Sequence, residues 1–252
     1  MPPDIIGEVI VWLIPCPFLK GIIMIDRKAF RSLSSGLYLI TSRHGDQKVG
    51  CVVNTFEQVA SEPPTVCVAL NKENTTTAAI RATGRFVATV LSEEAPLELI
   101  GTFGFHSSAD TDKFSDYEAC FDAAEIPYVT DCGCARFSVN VTETIDVGTH
   151  LLFVGVVEES EVLDAGNPMT YAYYHAVKGG KTPPKAATYN PDDAPAAAPA
   201  VAPSAPAAGK RVAWRCMICG YVEEAYPDGL PEDYMCPICG ATRDMFERIE
   251  ID

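Results

Sequence analysis

Apolar residues between positions 37 and 157 come in short bursts, most of them alternating with polar residues, and this period of two predicts strands. The bursts fall at Leu37 to Thr41, Lys48 to Val53, Thr65 to Leu70, Arg85 to Leu91, Phe137 to Val147 and Leu151 to Val157. In FSVNVTETIDV, Phe137, Val139, Val141, Ile145 and Val147 share one face, while Ser138, Asn140, Thr142, Thr144 and Asp146 share the other, as in a strand with one side in a core. Helical spacing is confined to brief stretches at Arg27 to Leu33, Thr76 to Ala82, Pro96 to Phe103 and Met169 to Val177. Many strands with few, short helices predict a mainly β fold, an antiparallel barrel rather than a doubly wound sheet. No G-x-G-x-x-G occurs, so nothing supports a Rossmann dinucleotide site.

The alternation ends at Asn190. From there to Gly209 the chain reads NPDDAPAAAPAVAPSAPAAG, with no residue able to anchor a core. Such a segment favours extended polyproline II, about 3.1 Å per residue, and would reach on the order of 60 Å when stretched. It is read as a linker, 190–209, between a domain at 24–189 and a smaller one at 210–252; a tether with a mechanical role and a plain spacer are both compatible with it. Residues 1–23 contain an apolar run from Val9 to Leu19, shorter than a membrane span and broken by Pro15 and Pro17, with Asp4 and Glu8 where a signal peptide carries positive charge. The codons for Lys20-Gly21 form a purine run suited to ribosome binding upstream of Met24. Residues 1–23 are therefore expected to be an extension ahead of a natural start at Met24.

A formal net charge of -15 and the absence of any basic stripe argue against nucleic acid or an anionic membrane as partner. Of the ten cysteines, four form two C-x-x-C pairs; Cys16, Cys51, Cys67, Cys120, Cys132 and Cys134 show no disulfide framework, which points to a reducing cytoplasm. Cys132 and Cys134, one residue apart with no partner motif, read as ordinary packing, and His44, His106 and His175 show no metal-binding arrangement.

The paired cysteines carry the strongest signal. Cys216 and Cys219 are separated from Cys236 and Cys239 by sixteen residues, and each pair is followed at once by glycine, Gly220 or Gly240. Two residues between ligands let one tight turn present both thiolates to one ion, and the glycine supplies the backbone conformation that such a knuckle needs. A segment this small needs the metal to fold, helped by Trp214, Tyr221, Tyr234 and Phe246. Spacing alone leaves zinc and iron open. The surroundings, CGY after the first pair and LPEDYMCPICGATRDMF around the second, closely resemble rubredoxins over Lys210 to Glu250, which implies a single iron on the four cysteines. The loop between the pairs is shorter than in free-standing rubredoxins and is similar to the tails of rubrerythrins.

Five segments between Ile25 and Tyr189 resemble, in order, the flavin reductase-like FMN-binding split barrel: SSGLYLITSRHGD, GCVVNTFEQVASEPPTVCVALNKENTTTAAI, GTFGFHSSADTDKF, VGTHLLFVGVV and MTYAYYHAVKGGKTPPKAATY. Barrel first and rubredoxin last is the order of the high-molecular-weight rubredoxins of anaerobic bacteria. In NKENTTTAAI a strand runs into a helix start, where exposed N–H groups favour an anion. Lys72, Asn74 and Thr76 there meet the FMN phosphate, or else Asn74 or Thr75 simply caps the helix. The resemblance implies that Asn54, Thr55 and Ser61 approach the isoalloxazine and ribityl chain. It also implies that Lys113 and Phe114 lie in a segment closing over the flavin. His150, in a G-x-H motif, is either a hydrogen-bonded core residue or the catalytic group that orients the nicotinamide or supplies a proton. Tyr171, Tyr173 and Tyr174 either pack in the core, cover the flavin or complete a dimer contact.

Together these features imply an NAD(P)H-dependent FMN oxidoreductase that passes electrons to a rubredoxin iron and on to an acceptor such as a flavodiiron protein reducing oxygen or nitric oxide, in a cytoplasmic homodimer. An electron carrier reduced by a separate reductase, and a ferric or flavin reductase with a zinc-ribbon tail, remain open on the sequence.

Overall fold

The structure is a computed structural model and describes residues 25–163, 166–183, 185–189 and 211–251. The 1–23 extension and the 190–209 linker lie outside the described residues. Arg27–Ser32 forms a 3-10 turn where a helix was expected.

The larger part is built on strands β1 (Tyr38–His44), β2 (Gln47–Val53), β3 (Glu57–Ser61), β4 (Pro64–Asn71), β5 (Arg85–Leu91), two short strands β6 (Cys120–Phe121) and β7 (Pro127–Tyr128), then β8 (Gly133–Asp146) and β9 (His150–Val162). Helices α1 (Thr75–Thr83), α2 (Leu97–Phe105) and α3 (Tyr171–Ala176) lie between or after them. Seven strands form one antiparallel sheet in the order β2-β1-β5-β8-β9-β4-β3. Its two ends, β2 and β3, are consecutive in the chain, with only Asn54 to Phe56 between them.

One core shows that this sheet curls on itself. Ile40 of β1, Cys51 of β2, Val68 of β4, Phe86 of β5, Val139 of β8 and Phe153 of β9 are buried in a single cluster, although β2 and β4 lie at opposite sides of the sheet. A flat sheet cannot bring them together, whereas a barrel does. Phe56 and Phe86 meet edge to face with ring centroids 6.5 Å apart. A second apolar layer covers the outer face, where Leu37, Leu39 and Leu91 pack on Leu99, Ile100 and Phe103 of α2, with Met169 and Tyr174. Strand β1 is thus buried on both faces, which explains why LYLIT is a nearly continuous apolar run rather than an alternating one.

The expected apolar face of β8 is only half right. Phe137, Val139 and Val141 pack against the barrel core, but Ile145 is 39% and Val147 52% exposed. The cause is a bulge: Val141 pairs with Gly155 and Glu143 with Val154, so Thr142 is an extra residue and the parity of the strand reverses beyond it. Strand β3, exposed along its whole length, had no alternation to announce it. Tyr174, one of the three clustered tyrosines, is buried in the outer core.

The small part has strands β10 (Arg211–Cys216), β11 (Val222–Glu223) and β12 (Phe246–Ile251), in the order β11-β10-β12. Among the described residues no helix is long and apolar enough to cross a membrane.

The barrel core should dominate stability. Phe86→Ala, at a fully buried position, is expected to cost about 3–5 kcal/mol, and Val147→Ala to stay within about 0.5 kcal/mol, in urea denaturation followed by circular dichroism. Equal losses at the two positions would contradict the bulged register.

Candidate functional site

The two C-x-x-C turns are built alike. Gly220 N–H donates to the Cys216 carbonyl at 2.9 Å and Gly240 N–H to the Cys236 carbonyl at 2.9 Å. Cys216 N–H and Cys236 N–H in turn donate to the carbonyls of Tyr221 (2.7 Å) and Ala241 (2.8 Å). Both glycines are left-handed, at φ +86° and +70°, as the sequence required. The result is a cluster of four sulfurs within 4.8 Å of one another. Cys216 and Cys239 Sγ are 3.6 Å apart, and Cys219 and Cys236 Sγ are 3.5 Å apart. A metal–sulfur bond of ~2.3 Å places the corners of a tetrahedron on the order of 3.7 Å from each other. The donor set therefore fits one tetrahedral ion. The thiols also demand a cation: hydrogen bonding from Cys219 pulls Cys216 down to about 7 and the bond from Cys216 pulls Cys236 below the thiol range, while Cys216 pushes both Cys219 and Cys239 up. Four sulfurs this close cannot all ionise without a positive charge between them.

Around them Trp214, Tyr221, Tyr234 and Phe246 form the expected aromatic core, with Tyr234 and Phe246 edge to face at 5.3 Å. Glu223 ties it together, accepting bonds from Tyr221 Oη, Tyr234 Oη and the Ala225 N–H.

At the barrel, the turn from β4 into α1 is where the sequence placed a phosphate. Asn74 caps α1, its Oδ1 accepting from Thr76 N–H at 2.9 Å, so the capping role is realised. Thr76 Oγ1, however, is buried with no hydrogen-bond partner. The Cys51 thiol lies beside both Thr76 and Asn74, a weak partner that does not replace a full hydrogen bond. A buried hydroxyl left unpaired costs free energy, and an acceptor arriving at the helix start would recover it. Beside this turn Asn71, Lys72, Glu73, Thr149, His150, Lys185 and Ala186 line a cleft of about 390 Å³, a volume in the range of cofactor sites. Lys72 pairs with Asp146 at 2.7 Å and Lys185 with Glu73 at 2.5 Å across it. His150, paired opposite Asn71 in the sheet, accepts or donates a bond between Nδ1 and Thr149 Oγ1 at 2.8 Å. Burial lowers its pKa, so the imidazole is neutral near pH 7.

The other expected contacts fall into different places. Asn54 Nδ2 donates to Thr188 Oγ1 at 3.2 Å and Asn71 Nδ2 to the Lys185 carbonyl at 3.1 Å, which lays the 185–189 segment along the cleft. Thr55 Oγ1 donates to the Ala69 carbonyl at 2.7 Å, and Ser61 is exposed in the edge strand β3. Lys113 and Phe114, expected to lie in a segment closing over the flavin, are buried: the ammonium donates to the carbonyls of Gly50 (2.8 Å) and Phe103 (3.0 Å), and the Phe114 ring meets Phe103 edge to face at 5.3 Å. The reason is that two carbonyls replace the water the amine would otherwise need. Lys185, Thr188, Asn71 and Cys51 were not singled out from the sequence; KTPPKAATY lies over a hundred positions from its partners, and no periodicity marks such a contact.

Residues 30–180 match the family model of the flavin reductase like domain, and residues 214–247 that of the rubredoxin-like domain of rubrerythrin, in keeping with the short loop between the cysteine pairs. The high molecular weight rubredoxin of Moorella thermoacetica is 40% identical over 237 residues, covering 89% of this chain and 100% of that protein. This chain belongs to the high-molecular-weight rubredoxin family. Like other high-molecular-weight rubredoxins it is a flavin reductase-like oxidoreductase fused to a rubredoxin-like iron domain. Its first domain is also similar to the ferric-chelate reductase (NAD(P)H) of Archaeoglobus fulgidus, 42% identical over 65% of this chain and 97% of that one. Among solved structures, the NADH:FAD oxidoreductase of Streptomyces globisporus C-1027 shares the fold, with a TM-score of 0.52 and 20% identity over 57% of this chain and 85% of that one.

The buried amine gives this site a pH signature. Burial lowers the Lys113 pKa from 10.5 to about 8, against an opposing pull from Cys51. Between those values the unfolded chain holds more protons than the folded one, so the residue's contribution to stability rises with pH. Relative to Lys113→Met, the parent should gain on the order of 3 kcal/mol from pH 8 to 10.5 in paired denaturation series. Parallel curves would show an amine that titrates normally.

Proposed function

We propose that this protein takes electrons from NADH or NADPH at a flavin held against the start of α1 and delivers them through the iron of the small domain to an acceptor such as a flavodiiron protein. The observation that carries the reading is the four-sulfur tetrahedron on the same chain as a flavin reductase-like cleft. The names of two relatives, a ferric-chelate reductase (NAD(P)H) and an NADH:FAD oxidoreductase, support a nicotinamide donor.

A bound flavin accepts two electrons from a nicotinamide and releases them singly, and a bound iron accepts one at a time, so the cofactors supply the redox chemistry. The protein's own residues hold and shield them. Thr76 Oγ1, at the positive end of α1, would take the FMN phosphate, with Lys72 adding positive charge. Asn54, with Thr55 and Ser61 on the neighbouring turn and strand, would meet the ribityl and ring portions. Lys113 and Phe114 would stiffen the floor from behind rather than cover the flavin. His150, neutral and bonded to Thr149, lines the same cleft and would orient the nicotinamide or pass a proton. Cys216, Cys219, Cys236 and Cys239 would hold the iron. The exposed apolar side chains of Ile145 and Val147, on either side of Asp146, the ion-pair partner of the cleft residue Lys72, support the homodimer that belongs to this reading.

An anaerobic NADH titration followed by visible spectroscopy tests the proposal. Loss of the flavin bands and then of the iron–thiolate bands is expected; a flavin that stays oxidised with both NADH and NADPH would end it. Added flavodiiron protein should raise NADH turnover in the presence of oxygen, and turnover no faster than autoxidation would remove that acceptor.

Thr76→Val should weaken FMN binding by about tenfold or more, since a hydrogen bond to a charged group is lost, and Thr76→Ser should retain it. Equal affinity in fluorescence titrations of all three would move the phosphate elsewhere.

A further inference from the structure

Helix α2, LELIGTFGF, contains two glycines in nine residues, each costing about 1 kcal/mol against alanine in a helix interior. Gly101 has a visible reason. A Cβ there would fall 1.9 Å from Cγ2 of Ile238, the residue directly before the ligand Cys239. Phe105, four residues on and hence on the same face of α2, packs against the cluster containing Cys216, Cys219 and Ile238. His106, at the helix end, bonds through Nε2 to the Ile238 carbonyl at 2.6 Å. The first knuckle is seated just as closely: a Cβ on Gly220 would fall 2.0 Å from the Gly179 carbonyl oxygen, in the loop after α3. Leu99 and Phe103, on the opposite side of α2, hold the helix to the barrel's outer core.

Both cysteine knuckles, one edge of the metal site, are therefore set against the flavin reductase-like domain. Steric fit occurs on both sides of the joint, since Gly101 admits Ile238 and Gly220 admits Gly179. We infer that Gly101, Phe105, His106 and Gly179 form a built seat for the metal-bearing knuckles, and that electrons enter the small domain while it occupies this seat. The inference rests on the electron-transfer reading above and specifies where that transfer takes place. The same edge cannot be covered by α2 and by an external acceptor at once, so receipt and delivery alternate, and the small domain leaves the seat between them.

The test uses the full chain with both cofactors bound. Gly101→Leu removes the space for Ile238 at a position where leucine favours the helix, so folding is not the weak point. In stopped-flow mixing with NADH, flavin bleaching should keep its parental rate, while the following loss of the iron–thiolate bands slows by about tenfold or more as the local concentration at the seat is lost. Small-angle X-ray scattering should show a larger radius of gyration. His106→Ala and Gly101→Ala should act in the same direction, and Ile238→Ala should restore fast iron reduction to Gly101→Ala by reopening the gap. Parental iron reduction and parental dimensions in Gly101→Leu would overturn the seat. A parent protein whose iron is never reduced internally would instead sink the electron-transfer reading, and the scattering comparison alone would then decide whether the seat exists.

Discussion

Four thiolates need a cation between them. Everything distinctive about the small domain follows from that electrostatic constraint. With sulfurs 3.5 and 3.6 Å apart in pairs, full ionisation is prohibitive until an ion occupies the centre, so ligand deprotonation, metal binding and folding are one event. The aromatic packing of Trp214, Tyr234 and Phe246 and the bonds to Glu223 are too few to hold some forty residues by themselves. They shape the cage once the ion has closed it. The two knuckle glycines belong to the same constraint, because a Cβ at φ +86° or +70° would strain the turns that aim the sulfurs inward.

The barrel works by the opposite logic. Its stability comes from apolar area buried on both faces of β1 and β5, inside against Phe56 and Phe153, outside against α2. Such a scaffold can tolerate local cost: the buried hydroxyls of Thr76 and Ser92 have no hydrogen-bond partner, and burial disfavours the charged form of Lys113 even though two carbonyls accept from it. Thr76 and Lys113 both act on the Cys51 thiol.

How much of this was readable in advance depended on how local each signal was. Strand β5 was placed to the residue, and β2 and α1 nearly so, because alternation and caps act within a few positions. The metal site was fully legible, since all four ligands are specified by two turns of identical chemistry. The far half of β8 was misread because a single inserted residue, Thr142, reverses every side chain after it and leaves no trace in composition. The burial of Lys113 left no sequence signal either, because only the tertiary fold supplies the Gly50 and Phe103 carbonyls that accept from its ammonium. The 185–189 strap over the cleft was illegible because Asn54 and Thr188 are 134 positions apart.

The joint between the parts shows why glycine placement is informative beyond turns. In a chain whose helices are few and short, a mid-helix glycine is a standing cost, and selection has no use for it unless a neighbour needs the space. At Gly101 the neighbour is the tip of a metal knuckle, while Gly104 in the same helix meets nothing closer than Val52 at 3.6 Å. The contrast separates a glycine that is required from one that is merely present. A domain on a long tether has no need of a fitted contact if its encounters are random. A fitted contact at the edge of the metal site therefore argues that the encounter is specific, and that the orientation of the iron relative to the barrel is part of the protein's design rather than an accident of the linker.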